Sequence, residues 1–255
     1  MATLSQWAKQ PLPLRPVPVP GKPGEHITPA MLRKRWEDLL DSNVQIVPFY
    51  GHSPKAGRYA CFSNFYLQHK SYKFEVPKEF CKAPLKESER MVDCNFSEKA
   101  IMLCKAAAMG DAVTYKKIAE AKDPKDAKAL GRKVKGFDDA VWQKIVCSVA
   151  FQVIHQKFLN PELARILKET SGKVIAEATA NDRNWGIGLN MGDPRVQKPS
   201  LWQGTNVLGW ALMETRDALI EAERKRLQAA PTDVPAIIVD DPGDDEPTAK
   251  RRRCS

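Results

Sequence analysis

The chain has 255 residues, is 43% hydrophobic, and carries 40 Lys and Arg against 31 Asp and Glu, for a formal charge of +9. That length is enough to bury the core of one sizeable domain. No apolar run approaches the roughly 18 residues that span a bilayer, and the N-terminus lacks a charged-then-apolar signal pattern. The sequence therefore points to a soluble intracellular protein of the nucleus or cytoplasm, with no membrane partner. Its six cysteines, at positions 61, 81, 94, 104, 147 and 254, form no CxxC pair and have no histidine at metal-binding spacing. A reducing compartment is expected, and neither a metal site nor another cofactor. The cationic surplus suits a polyanion such as nucleic acid or a phosphorylated small molecule; it equally suits simple solubility.

The two ends differ from the middle. Residues 1–27 hold the run LPLRPVPVPGKPGE, whose prolines favour an extended, unpacked leader. Residues 230–255 read APTDVPAIIVDDPGDDEPTAKRRRCS, which predicts a disordered acidic-then-basic tail. The folded domain is placed at 28–229. It opens with a helix over 28–41, capped by Thr28, with Pro29 in the first turn and Met31, Leu32, Trp36, Leu39 and Leu40 at helical spacing. Three runs rich in β-formers follow, 44–50, 59–65 and 72–76, and together predict a small sheet. The stretch 76–95 has no clear period and reads as a surface insertion. Helices are predicted over 96–109, 111–121, 127–134 and 138–159. The last carries Val141, Trp142, Ile145, Val146, Val149, Val153 and Phe158 as one apolar stripe. Asn160-Pro161 restarts the chain as the cap and first turn of a helix ending near 170. A strand over 173–178 and a final helix over 206–227, with Leu208, Leu212, Leu219 and Ile220 inward, complete the α+β domain, which is predominantly α-helical with a small β component.

Three segments place polar and aromatic residues where core packing does not need them. The first is CFSNFY, with Asn64 and Phe65. In the second, NFSEKAIMLCK, Glu98 and Lys105 lie seven apart on a helix, so that long side chains from both can reach one ligand. The competing reading makes Asn95 and Glu98 a helix capping box and Lys105 a solvated lysine. The third joins NDRNWGIGL to WQGTNVLG: Trp185 offers a flat face, and Gly186 and Gly188 permit close backbone approach to a ligand. Here the alternative is a turn in which Asp182 bonds the local backbone, Asn206 caps the last helix and Trp202 is core. His52 and His155 lack partners in any nucleophile motif and read as structural. Arg132 either seats a phosphate or lies on a helix surface.

Taken in order, FYGHSPKAGRYACFSNFY, FSEKAIMLCKAAAMGD, AKALGRKVKGFDDAVW, NDRNWGIGL and GTNVLGWALMETR closely resemble the NADAR family, also called YbiA-like, over residues 44–216. The resemblance implies a compact YbiA-like fold that binds ribose-phosphate or ADP-ribose and hydrolyses N-glycosidic bonds. Members act on early riboflavin-pathway ribosylamines or remove ADP-ribose from guanine in nucleic acid. Carried over by motif position, the catalytic residues are Glu98, Lys105 and Asp182. Trp142 and Trp185 match family aromatics, and Asn64, Arg132, Gly204 and Asn206 match positions near the ribose or phosphates; Phe65, Lys99, Gly186 and Gly188 join the substrate-binding set. Many bacterial members follow the glutamate with histidine and an aromatic, whereas here Lys99 and Ala100 follow, and the stretch between Phe65 and Asn95 is longer; both departures bear on the base pocket.

Breaking a ribose C1–N bond builds positive charge on the sugar and negative charge on the departing base, so the site needs an anion and a proton donor. Glu98 is expected to stabilise the sugar cation or position water, Asp182 to assist proton transfer, and Trp185 to stack on the base. Alternatively the amine of Lys105, or of Lys99, attacks C1. The expected substrate is ADP-ribosylated guanine in DNA or RNA, with ADP-ribose as product. A riboflavin-pathway ribosylamine is the metabolic alternative, and a non-catalytic ADP-ribose-binding module the non-enzymatic one. In the tail, Lys250 to Arg253 reads as a nuclear import signal or polyanion contact, and IIVDD as a strand added to a ubiquitin-like modifier.

Overall fold

The computed structural model describes residues 18–19, 22–39 and 44–229. The basic tetrad and the IIVDD segment lie outside them. Within the proline-rich leader, β1 (Pro18–Val19) and β2 (Lys22–His26) pair antiparallel, so part of that extended stretch finds a partner strand. Helix α1 (Pro29–Glu37) begins as its cap predicts, with the Thr28 hydroxyl accepting the Met31 amide at 3.4 Å. It buries Leu32 and Trp36. The Trp36 indole donates to the Thr205 carbonyl at 2.7 Å and its ring lies 5.4 Å from that of Trp202, which satisfies the N–H while the ring is out of water.

Of the three predicted strands, the outer two form as β3 (Ile46–Phe49) and β4 (Tyr72–Glu75). The middle one does not. Residues Arg58–Phe62 make a 3-10 helix, launched by Gly57 at φ 84° and held by bonds from Ala60 N to Gly57 O and from Ser63 N to Ala60 O, both within 3.2 Å. Ala60, Cys61 and Phe62 are buried consecutively, which an alternating strand with one solvated face cannot do. The stretch read as a surface insertion also departs from expectation. It holds α2 (Glu87–Arg90) and β5 (Met91–Cys94), and β5 pairs antiparallel with β4, while Val76, Phe80, Ala83 and Cys94 go into the core.

The helical half follows the apolar spacing: α3 (Ser97–Ala108), α4 (Ala112–Glu120), α5 (Pro124–Gly131), α6 (Asp139–Lys157) and α7 (Pro161–Lys168). α5 starts three residues earlier than expected because Asp123 caps it and Pro124 occupies the first turn. After α7, β6 (Val174–Glu177) returns to pair with β3 in parallel, Phe49 opposite Glu177, and α8 (Val207–Ala229) closes the domain. The predicted sheet is thus split, β3 and β4 belonging to different two-stranded pairs, and among the described residues β1–β2 is a third. The whole is an α+β, predominantly helical domain, and among the described residues no helix is long and apolar enough to cross a membrane.

The β6–α8 junction is unusually tight. Asn206 is fully buried at φ 53°, and its carboxamide accepts from the Glu177 amide at 3.1 Å and donates to the Ile175 carbonyl at 2.8 Å. A Cβ on Gly209 would strike that same carbonyl, so α8 packs directly on β6. Asn206→Ala leaves a buried N–H and a buried carbonyl unpaired at a left-handed position, and should cost ~2–4 kcal/mol. Urea unfolding measures it; a loss below ~1 kcal/mol would show that the junction does not depend on this side chain.

Candidate active site

Parallel strands leave a crevice at their carboxyl ends, and here β3 and β6 end at Phe49 and Glu177. The loop after β6 folds back over that end. Ile187 N donates to Glu177 O at 2.9 Å, Gln203 N and Gly204 N both reach Ile187 O at 2.8 Å, and Asn206 N reaches Gly186 O at 3.1 Å. Gly186 and Gly204 are required by this crossing: a Cβ on Gly186 would sit 2.8 Å from Glu177 O, and one on Gly204 2.8 Å from Arg183 O. Gly188, at φ 71°, lies against Gln203. These glycines let backbone approach backbone.

Asp182 does hold the local turn, its Oδ1 accepting from Asn184 N at 3.0 Å and Trp185 N at 2.8 Å. Its charge nevertheless reaches two other carboxylates. Glu98 stands in the first turn of α3, whose cap is Phe96 with no side-chain cap bond, so the capping-box reading fails. Glu98 is 5% exposed, and burial drives its pKa up to about 7; Asp182 pushes the same way, while Lys128, Arg132 and Lys105 pull it down. Glu177 is half-buried, with one carboxylate oxygen, Oε2, that meets no hydrogen-bond partner. Burial, then the charges of Asp182 and Glu98, push its pKa up to about 8, against the pull of Lys128. Glu98 and Glu177 are thus both held toward the protonated form, with Asp182 as a neighbouring charge that raises each.

The opposing wall is cationic and aromatic. Lys128 Nζ lies 5.3 Å from the Phe65 ring, which is itself 5.7 Å from His52. Lys105 is half-buried with Nζ 4.1 Å from the exposed Phe137 ring; burial lowers its pKa and Glu98 opposes this. Arg132 ends α5 facing solvent. Asn64, buried next to Phe65, has an Oδ1 without a partner. Among the described residues no three His, Cys, Asp or Glu side chains are arranged to hold a metal ion.

The sequence pattern that defines the NADAR domain matches residues 48–220. This chain belongs to the NADAR family. It is 36% identical over 122 residues to an N-glycosidase, R617, of Acanthamoeba polyphaga mimivirus, covering 48% of this chain and 72% of that protein. Protein irg-1 of Caenorhabditis elegans is 32% identical over 164 residues, 63% of this chain and 76% of the relative. A riboflavin biosynthesis protein, PYRR, of maize chloroplasts is 32% identical over 105 residues, 39% of this chain but only 15% of that longer protein. The NMR structure of YbiA from Escherichia coli superposes with a TM-score of 0.52 at 21% identity, covering 84% of this chain and 96% of that one, and so shares the fold.

Of the residues the NADAR resemblance nominates, Asn64, Phe65, Glu98, Lys105, Arg132 and Asp182 lie around the carboxylate cluster. Half-buried Trp185 flanks it on the Asp182 turn. Four do not line it. Lys99 turns away, its ammonium donating to Asp93 O at 3.3 Å and Ala119 O at 3.1 Å. Trp142 is 9% exposed and belongs to the core. Gly204 and Asn206 act beneath the site, as the crossing and the latch. Glu177 and Lys128 were missed; the available signal was an acidic residue ending the otherwise apolar strand VIAE, and a lysine one helical turn before Arg132. Because the folded pKa of Glu177 lies above its unfolded value, folding holds its proton between about 4.5 and about 8. The stability this contributes is present below the lower value and lost as pH rises through the upper one. Glu177→Gln should therefore raise the melting temperature at pH 8.5 by a few degrees, ~2–4 °C per kcal/mol for a domain this size, with little change at pH 4.5. Calorimetry at both pH values checks this, and an equal shift at both would refute the proton assignment.

Proposed function

We propose that this protein hydrolyses an N-glycosidic bond between ribose C1 and a base-like nitrogen. The observation that carries the reading is the cluster of Glu98, Glu177 and Asp182, in which burial and mutual charge raise both glutamates, with Lys105, Lys128 and Arg132 acting on the same field. Such a cluster supplies both things the bond cleavage needs. An ionised carboxylate, Glu98, stabilises the oxocarbenium-like sugar and orients the attacking water. Glu177, driven toward its protonated form, is the proton source for the departing nitrogen, and Asp182 assists the transfer. Asp182 Oδ1 is already committed to two backbone amides, which fixes its carboxyl plane and leaves Oδ2 for the transfer. Trp185, held by that turn, offers its ring to the base.

Recognition of ADP-ribose without turnover gains nothing from three carboxylates, which repel a diphosphate; the cations on α5 and Lys105 suit the phosphates. The preferred substrate in this reading is ADP-ribosylated guanine in nucleic acid, in keeping with the +9 charge. The similarity to part of a maize riboflavin biosynthesis protein favours a second reading, cleavage of a ribosylamine. A panel of ADP-ribosylated guanine in DNA and RNA, ADP-ribosylated protein and ribosylamine decides between them. Glu98→Gln and Asp182→Asn should each lower kcat by about 10²–10⁴ on the responsive substrate. Binding of ADP-ribose with no release from any of these substrates would sink the hydrolase reading. Borohydride added during turnover should leave no adduct on Lys105 if water attacks; a reduced adduct there would establish a Schiff base instead.

A further inference from the structure

Lys157, the last residue of α6, is completely buried. Burial holds its pKa down, to about 7, against the opposing pull of the Cys61 thiol. Its Nζ donates to the Ser63 carbonyl at 3.0 Å and lies 5.7 and 5.5 Å from the rings of Tyr66 and Phe158. A methionine would fill nearly the same volume without an amine to desolvate, so what the lysine adds is the N–H.

That N–H sits at the head of a chain of bonds. The Ser63 carbonyl also accepts the Tyr66 amide at 3.2 Å, and the Ser63 hydroxyl accepts the Phe65 amide at 3.2 Å, closing the turn that carries Asn64 and Phe65. The next carbonyl, that of Asn64, accepts the amide of Glu98 at 2.9 Å. Glu98 is the second residue of α3, where no intrahelical acceptor exists, so Asn64 is what ties down the start of this helix. Phe62, 6.0 Å from Phe158, brings the turn and the end of α6 together from the other side.

We propose that Lys157 is a positioning residue of the active site: it pins the Ser63 carbonyl, and through the 63–65 turn it sets Asn64, Phe65 and the Glu98 end of α3. The inference rests on the reading of Glu98 as a reacting group, but the bond network it invokes can be read without any substrate.

The test compares the full chain with Lys157→Met, using hydrogen exchange at the Glu98 amide, thermal unfolding, and turnover on whichever panel substrate responds. The expected result is a melting temperature at or above that of the parent chain, exchange at Glu98 faster by about tenfold, the factor that ~1.4 kcal/mol carries, unchanged exchange within α7, and a fall in kcat larger than any change in KM. Lys157→Gln, which keeps an N–H donor, should restore part of the Glu98 protection. Protection at Glu98 equal to the parent's overturns the proposal. So does a uniform loss of protection with a lower melting temperature, or failure of both variants to fold, since each would mark a purely structural lysine. Loss of Glu98 protection in a chain whose parent turns over no substrate in the panel upholds the positioning role and counts only against the hydrolase reading.

Discussion

The backbone of Glu177 is the point at which the strand pair, the returning loop and the last helix meet. Its N–H is taken by the Asn206 carboxamide, its carbonyl by Ile187 N and Thr179 N, and the next amide, of Ala178, bonds Phe49 O across the parallel pair. One residue thus joins three parts of the fold, and its side chain is a carboxylate with a buried, unpartnered oxygen. Positions that look like ligand contacts by motif, Gly186, Gly204 and Asn206, serve this junction first. They place the Asp182–Trp185 turn over the end of β6, and without them the three carboxylates would not share a field.

Holding those carboxylates together works against folding. Glu98 and Glu177 are each driven toward the protonated form by burial and by their neighbours, and an uncharged sequence of the same volume would fold more readily. The fold tolerates this because the core is well filled: α6 and α8 bury long apolar faces against each other, and α8 also packs on β6, whose Val174, Ile175 and Ala176 are all inaccessible to water. The cations that ease the cluster are Lys128 and Arg132 of α5 and Lys105, two turns beyond Glu98 on α3. Acidic charge therefore arrives from the strand end, its loop and the start of α3, and basic charge from further along α3 and from α5.

Helices were legible where the apolar stripe was long or the caps explicit. α6 follows its stripe, and α7 follows Asn160-Pro161, whose side chain accepts the Glu162 and Leu163 amides. The run around Phe62 misled because its aromatic residue types suit a strand, and it is the packing of Phe62 against Phe49, Tyr59 and Phe158, with its neighbours buried in succession, that goes with the 3-10 helix. The hairpin partner β5 was hidden because MVDC is too short for its alternation to stand out.

For the site, the sequence by itself nominated Glu98, Lys105 and Asp182 through the NADAR resemblance, and placed Glu98 and Lys105 on one face because a helix repeats every 3.6 residues. It also determined the helical, α+β character of the domain. What it did not contain was distance between segments. That Glu177 stands among the carboxylates and that Asn206 is a latch follow from a parallel pairing that brings residue 49 beside residue 177, and that Lys99 is spent on the Asp93 and Ala119 carbonyls follows from the packing of α3 against β5 and α4. A long crossover leaves no local trace in the chain, because its geometry is set by which helices pack between the two strands, and that is decided only when the core closes.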